Sequence, residues 1–109
     1  MTHLFDRTVT ILRYDDTITD AFGNARPDWP SDPTTYPGRL RRLSAEEVAS
    51  AGERGVAEWM LYMAGDVVLT GRDRIEIDSQ EYELDGDPYY VHERREVHHL
   101  EARLRTYNS

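Results

Sequence analysis

Apolar and polar residues alternate along most of this chain with a period of two, the spacing of strands that bury one face. Thr8 to Tyr14 is rich in β-branched residues and predicts a first strand. Gly38 to Leu43 predicts a second, with Leu40 turned one way and Arg39 and Arg41 the other. In the third, Val56 to Ala64, one face carries Trp59, Leu61 and Met63 and the other Met60 and Tyr62. Apolar residues on both faces suggest a central strand, or one covered by a neighbouring subunit. A short helix competes there, because Met, Leu and Ala are good helix formers. Val67 to Thr70 lies between glycine turns. Arg74 to Asp78 and Glu81 to Leu84 alternate on either side of Ser79 and Gln80, which predicts a hairpin. The run Asp85-Gly86-Asp87-Pro88 breaks the pattern and Tyr89 to Val91 resumes it. A long terminal strand sets His98, Leu100, Ala102 and Leu104 opposite Val97, His99, Glu101, Arg103 and Arg105. About six mostly antiparallel strands at hairpin spacing predict an all-β fold, a small barrel or sandwich, in one domain over 1–109.

Two stretches interrupt the alternation. Residues 15–37 read as a long loop: they hold Pro27, Pro30, Pro33 and Pro37, which offer no N–H to a ladder. Ala21-Phe22-Gly23-Asn24 within it reads as a tight turn. Residues 44–55 read as a small helical or flexible insert. Ser44-Ala45-Glu46-Glu47 forms a capping box, and Gly52 and Gly55 end the helix it starts.

Charge narrows the function. The formal net charge is −8. Residues 1–43 balance six Arg with six Asp, while residues 44–109 set seven Arg against fifteen acids. Proteins that grip nucleic acid carry the opposite sign, because their affinity comes from neutralising phosphates. An acidic surface suits a wall that DNA slides past, and equally suits plain solubility. Every basic residue is Arg and none is Lys. The planar fork of Arg favours carboxylate pairing at interfaces, and GC-rich coding produces the same bias. Cysteine is absent, which excludes disulfides and thiolate metal sites. No apolar run is long enough for a helical membrane span, and Met1 to Asp6 lacks the pattern of a secretory signal.

Candidate chemistry is sparse. His98 and His99 are neighbours on a strand, so they are expected on opposite faces and unable to share one metal ion. Asp15, Asp16 and Asp20 lack the spacing of a calcium loop. There is no nucleophile elbow and, without lysine, no phosphate-binding P-loop. The carboxylate pairs Glu46 with Glu47 and Glu81 with Glu83 read as a wet face. Tyr89 and Tyr90 could stack on bases, but Asp85, Asp87 and Glu93 surround them. The expectation is a non-enzymatic protein without cofactor or metal.

The order of segments resembles the head-closure, or head-to-tail stopper, proteins of long-tailed phages, especially those of actinobacterial hosts. The resemblance runs through Thr19-Asp20-Ala21-Phe22-Gly23-Asn24, Asp28-Trp29, the strand from Gly38 to Ser44, and Val56 to Met63. It continues through Asp73-Arg74-Ile75-Glu76-Ile77, Tyr82 to Pro88, and Val97 to Arg105. One departure is Ser79, where a hairpin glycine is expected. The resemblance implies a virion protein assembled in the host cytoplasm, in a ring of roughly six or twelve copies of itself. Its expected partners are an adaptor ring on the portal side and a tail terminator or tail tube on the other. Double-stranded DNA would pass through without specific binding, and no membrane is involved. The family's channel loop maps onto 44–55, with Ser44, Glu46, Glu47, Glu53 and Arg54 as candidate channel-facing residues. A closed ring needs two different patches that meet. Arg39, Arg41 and Arg42 are the candidate basic patch, and Glu76, Glu81 and Glu83 the acidic one. Pro27, Trp29 and Pro30 are a candidate docking arm that orders on a neighbouring ring; alternatively, Trp29 packs on its own barrel. Another neck or tail-completion role, or a small nucleic-acid-binding barrel, are the alternative functions.

Overall fold

A computed structural model describes residues 6–17, 19–46 and 57–107. Among these residues, seven strands form a single antiparallel sheet: β1 Arg7–Leu12, β2 Ser31–Arg42, β3 Trp59–Ala64, β4 Arg74–Ile77, β5 Gln80–Leu84, β6 Tyr89–Glu93 and β7 Glu96–Thr106. Their order is β3-β2-β1-β4-β5-β7-β6, and β3 also pairs with β7. That last pairing closes six strands into a barrel and leaves β6 as a seventh, outside it.

The alternation explains the closure. Each of the six barrel strands contributes one apolar row, and closure buries these rows together. Val9, Ile11, Leu61, Met63, Ile75, Ile77, Leu100 and Leu104 are almost wholly buried inside. Met63 faces Gly38 on one side and Leu100 on the other, so the inner rows run continuously across β2, β3 and β7. Gly38 is where the long strand β2 changes partners, from Arg7 on β1 to Met63 on β3. A Cβ there would lie 2.7 Å from Val9 Cγ2 and 3.2 Å from Leu61 Cδ1, so the core closes over a missing side chain.

Several expectations need correction. The loop foreseen over 15–37 ends early, because β2 starts at Ser31 and contains both Pro33 and Pro37. Residues 31–37 pair with β1 alone, so one edge of that half-strand asks for no donor and proline is tolerated. The rest of the segment is a two-stranded arm. Asp15 bridges Asp28, with both backbone N–H···O bonds at 2.8 Å, and Thr19 bridges Ala25. Between the glycine turns, Val67 to Thr70 runs without strand pairing, and its Val67 and Leu69 are buried. The hairpin turn falls on Asp78 and Ser79, one residue earlier than predicted, with φ of 50° and 65°. Two successive positive φ values belong to the turn type that matches the twist of a two-residue hairpin. Asp and Ser therefore do what glycine was expected to do. Ala45 and Glu46 have helical backbone; the remainder of the insert, 47–55, lies outside the described residues.

Candidate functional site

The outer face of β2 and the outer face of the β4–β5 hairpin carry the two charge sets. On β2, Gly38 and Leu40 point inward, which turns Arg39 and Arg41 outward. Arg39 is exposed and has no ion-pair partner among the described residues. The Nε and Nη2 of Arg41 each lie 3.3 Å from the Tyr62 hydroxyl, which can accept from them. Arg42 sits at the barrel end, its guanidinium 5.0 Å above the Trp59 ring and 4.0 Å from the Glu58 carboxylate.

On the hairpin, Ile75, Ile77, Tyr82 and Leu84 point inward and the carboxylates outward. Glu76 and Glu81 are directly opposed in the register. Neither has a cation partner among the described residues, and like charges placed this way repel. Glu83 differs, because its Oε1 accepts from Arg105 Nε at 3.0 Å. In the order around the barrel, β2 and β5 are three strands apart out of six, and so stand on opposite sides. The structure therefore does not bring the basic and acidic sets together within one chain. Among the described residues, Arg39, Glu76 and Glu81 have no ion-pair partner, while Arg41, Arg42 and Glu83 are engaged locally.

Ser44 and Glu46 are exposed where the chain leaves β2 at one end of the barrel. The other candidate channel residues, Glu47, Glu53 and Arg54, lie outside the described residues.

No protein-family model matches the sequence, and no curated protein is similar to it at the level of sequence. The fold does have a solved counterpart. The solution structure of protein SF1141 from Shigella flexneri 2a superposes with a TM-score of 0.75, covering 95% of this chain and 94% of that one. At 17% identity, the likeness is one of fold.

The arm is anchored, and Trp29 belongs to its own barrel. The Trp29 indole Nε1 donates to the Arg72 carbonyl at 2.8 Å, and its ring meets Tyr14 edge-on at 5.5 Å. Pro27 and Pro30 remain exposed. The arm's turns are held by short carboxylate bonds. Asp20 Oδ1 accepts from the N–H groups of Phe22 and Asn24 at 2.8 and 3.0 Å, and Asp15 Oδ1 accepts from Thr17 N at 2.8 Å. These donors hold the Asp20 carboxyl below its ordinary pKa of 3.8, Asn24 first and then Phe22. For Asp15 the Thr17 hydroxyl does the same, followed by the Thr17 amide. Asp15 and Asp20 thus build turns. Among the described residues, no group of three or more side chains is arranged to hold a metal ion.

Two features escaped the sequence. Asp73 is a buried carboxylate, 6% exposed, at the root of the arm. Its Oδ1 accepts from Tyr14 N at 2.9 Å and its Oδ2 from Thr70 N at 2.9 Å, with Arg13 Nη1 at 3.5 Å. A signal existed: Asp73 shares parity with Ile75 and Ile77, so it had to point inward. The second is the histidine pair. β7 carries a bulge in which Val91 pairs with His99 and His92 with Val97, leaving His98 without a strand partner. Alternation fails there. Contrary to expectation, the two Nδ1 atoms meet at 2.8 Å, and His99 Nε2 lies 2.9 Å from Glu101 Oε2. If His99 donates from Nε2 to the carboxylate, its Nδ1 accepts and His98 supplies the proton.

Proposed function

We propose that this chain is a head-closure subunit: a structural virion protein that forms a ring at the head–tail connector, retains packaged DNA and offers the tail a docking surface. One observation carries the reading. Among the described residues, a single closed barrel presents an exposed Arg without an ion-pair partner on β2 and two opposed, half-buried carboxylates without a cation partner on the far side, at β4 and β5. Identical subunits set side by side around an axis would bring each basic strand against the next subunit's acidic hairpin. That is the heterologous contact from which rings close. It would also relieve the repulsion between Glu76 and Glu81. Exposed pairs contribute about 0–1 kcal/mol each, so they would set register while buried apolar surface supplies affinity.

The reading extends to partners. An adaptor ring would sit on the portal side and a tail terminator on the other, with the insert after β2 directed at the channel. The −8 charge would keep DNA from adhering as it passes. The chain would act without cofactor or catalysis. Labelling virions with an antibody against the purified protein tests this reading. The expected result is label at the neck; intact virions with no label there, or label elsewhere on the particle, overturn it.

A further inference from the structure

A pocket of about 270 Å³ opens on the outer wall where the arm meets the end of β4. Its lining includes Tyr14, Trp29, Arg72, Arg74, Glu83 and Arg105, with Asp73 at its root. Three guanidinium groups converge there on a chain whose net charge is −8. The two carboxylates in the lining are already used. Asp73 is bonded by the Tyr14 and Thr70 amides, and Glu83 accepts from Arg105 Nε at 3.0 Å. Arg105 also lies 3.6 Å from Asp85, so its charge is matched.

Arg74 is different. Its guanidinium carbon is 3.5 Å from the Trp29 ring centroid and 3.9 Å from that of Tyr107. Two rings so close to one carbon lie on opposite faces of the flat group. Stacking is favourable, but it satisfies none of the N–H donors, which lie in the plane and point from its edge. Those donors have no acceptor among the described residues. Arg72 stands beside it, 5.3 Å over the Tyr14 ring and likewise without a carboxylate. The stack is itself fixed, because Trp29 is tied to the Arg72 carbonyl. The result is a guanidinium fork held in one orientation, so little side-chain entropy is lost when an acceptor arrives.

We propose that this pocket is a docking site for an acidic side chain, Asp or Glu, presented by a partner polypeptide. A carboxylate is planar and takes two parallel N–H···O bonds from an edge-on fork, and the flanking aromatic rings shield that pair from water. A nucleic-acid strand fits less well. Asp85 and Asp87 border the site, Asp87 through its bond with Gly71 N at 2.9 Å, and a polyanion would meet their repulsion at each added phosphate. The cavity has room for a side chain or two, not for a stacked run of bases. This inference stands apart from the ring reading, since any acidic partner satisfies it.

Titration of the full chain, followed by NMR of the Arg74 Nε–H and Trp29 indole signals, tests it. The probe is the capped peptide Ac-Gly-Glu-Glu-Gly-NH2, with its Gln-Gln counterpart, inorganic phosphate and a thymidine hexanucleotide as comparisons. The Glu peptide is expected to shift both signals saturably, and the Gln peptide to leave them unmoved. Arg74→Ala should weaken binding by about tenfold or more, the loss of a charge-assisted pair. Arg74→Lys keeps a cation between the rings but not the fork, and should weaken binding nearly as much. It also guards against misfolding of the Ala variant. No shift at millimolar Glu peptide, equal binding of phosphate, tighter binding of the hexanucleotide, or undiminished binding by a folded Arg74→Lys variant would each overturn the proposal.

Discussion

β2 with its neighbour β3, and the β4–β5 hairpin across the barrel, are built alike on the inside and charged oppositely on the outside. Inside, Leu40 and Leu61 face each other on one wall, as Ile75 and Tyr82 do on the other. Outside, one wall presents Arg39 and the other Glu76 and Glu81. The inner rows are bound by volume: each side chain fills space between fixed neighbours. The outer rows carry no such constraint, so charge there can be allotted to association. The comparison separates what holds the barrel from what the barrel can hold.

The largest effects are expected from the inner rows, and they should be similar on both walls. Leu61→Ala and Ile75→Ala each remove a fully buried side chain, and each should cost about 2–5 kcal/mol by denaturant unfolding. A cost under about 1 kcal/mol on either wall would mean that wall is not packed as described. Next comes Gly38→Ala, whose new methyl would press on Val9 and Leu61. Overpacking should cost about 1–3 kcal/mol, whereas an unstrained Gly→Ala change in a strand would be neutral or stabilising.

The outer rows should behave otherwise. Glu81→Gln removes one of two opposed carboxylates and should stabilise the isolated chain by roughly 0.2–1 kcal/mol, less at high salt. Arg39→Glu should change stability by less than about 0.5 kcal/mol, and if subunits pair as proposed it should also abolish ring formation. Pairing it with Glu81→Arg should restore rings, as seen by electron microscopy of the assembled connector. Rings from the single variant would break the proposed pairing while leaving the barrel's description intact.

The smallest effect lies where β2 begins. Asp32 is held below its ordinary pKa of 3.8, chiefly by the Thr34 amide and then by Arg13; Asp15 and Asp20 are lowered in the arm. A depressed folded pKa gives a contribution that is complete above 3.8 and is lost as pH falls through the lower folded values. Amide signals of the arm should therefore move below that pH, before those of the barrel core do. At the other extreme, burial raises the Tyr82 pKa above 10.0, so stability should fall as the pH climbs past that value.

Strand identity and facing were legible because both follow from local alternation. The inward parity of Ile75, Ile77, Leu100, Ala102 and Leu104 needs no knowledge of the partner strands, whereas the stretch from Val56 to Ala64, apolar on both faces, leaves its inner row open. Asp73 could have been read the same way, and the residue type misleads only because an acid is rarely placed on an inner row. The long loop over 15–37 was misread because proline was judged by the donor it lacks. Whether that donor is missed depends on which edge of β2 has a neighbour. The histidine pair was misread because a bulge breaks parity, and this one is set by the β6–β7 register, which joins residues on two strands. The Arg74 pocket gathers side chains from the arm, β4, β5 and β7, and no local spacing reveals that.

By itself, then, the chain's period of two determined an all-β molecule, the inner row of the cleanly alternating strands and the sign of its surface, since these depend on residue type and neighbours in sequence. Tertiary structure alone decided that β3 meets β7 to close the wall, that the two charge sets stand on opposite sides, and that Trp29 and Tyr107 enclose Arg74. The reason is geometric. Alternation specifies which way a side chain points relative to its own strand, but only the order and closure of the strands specify what it points at.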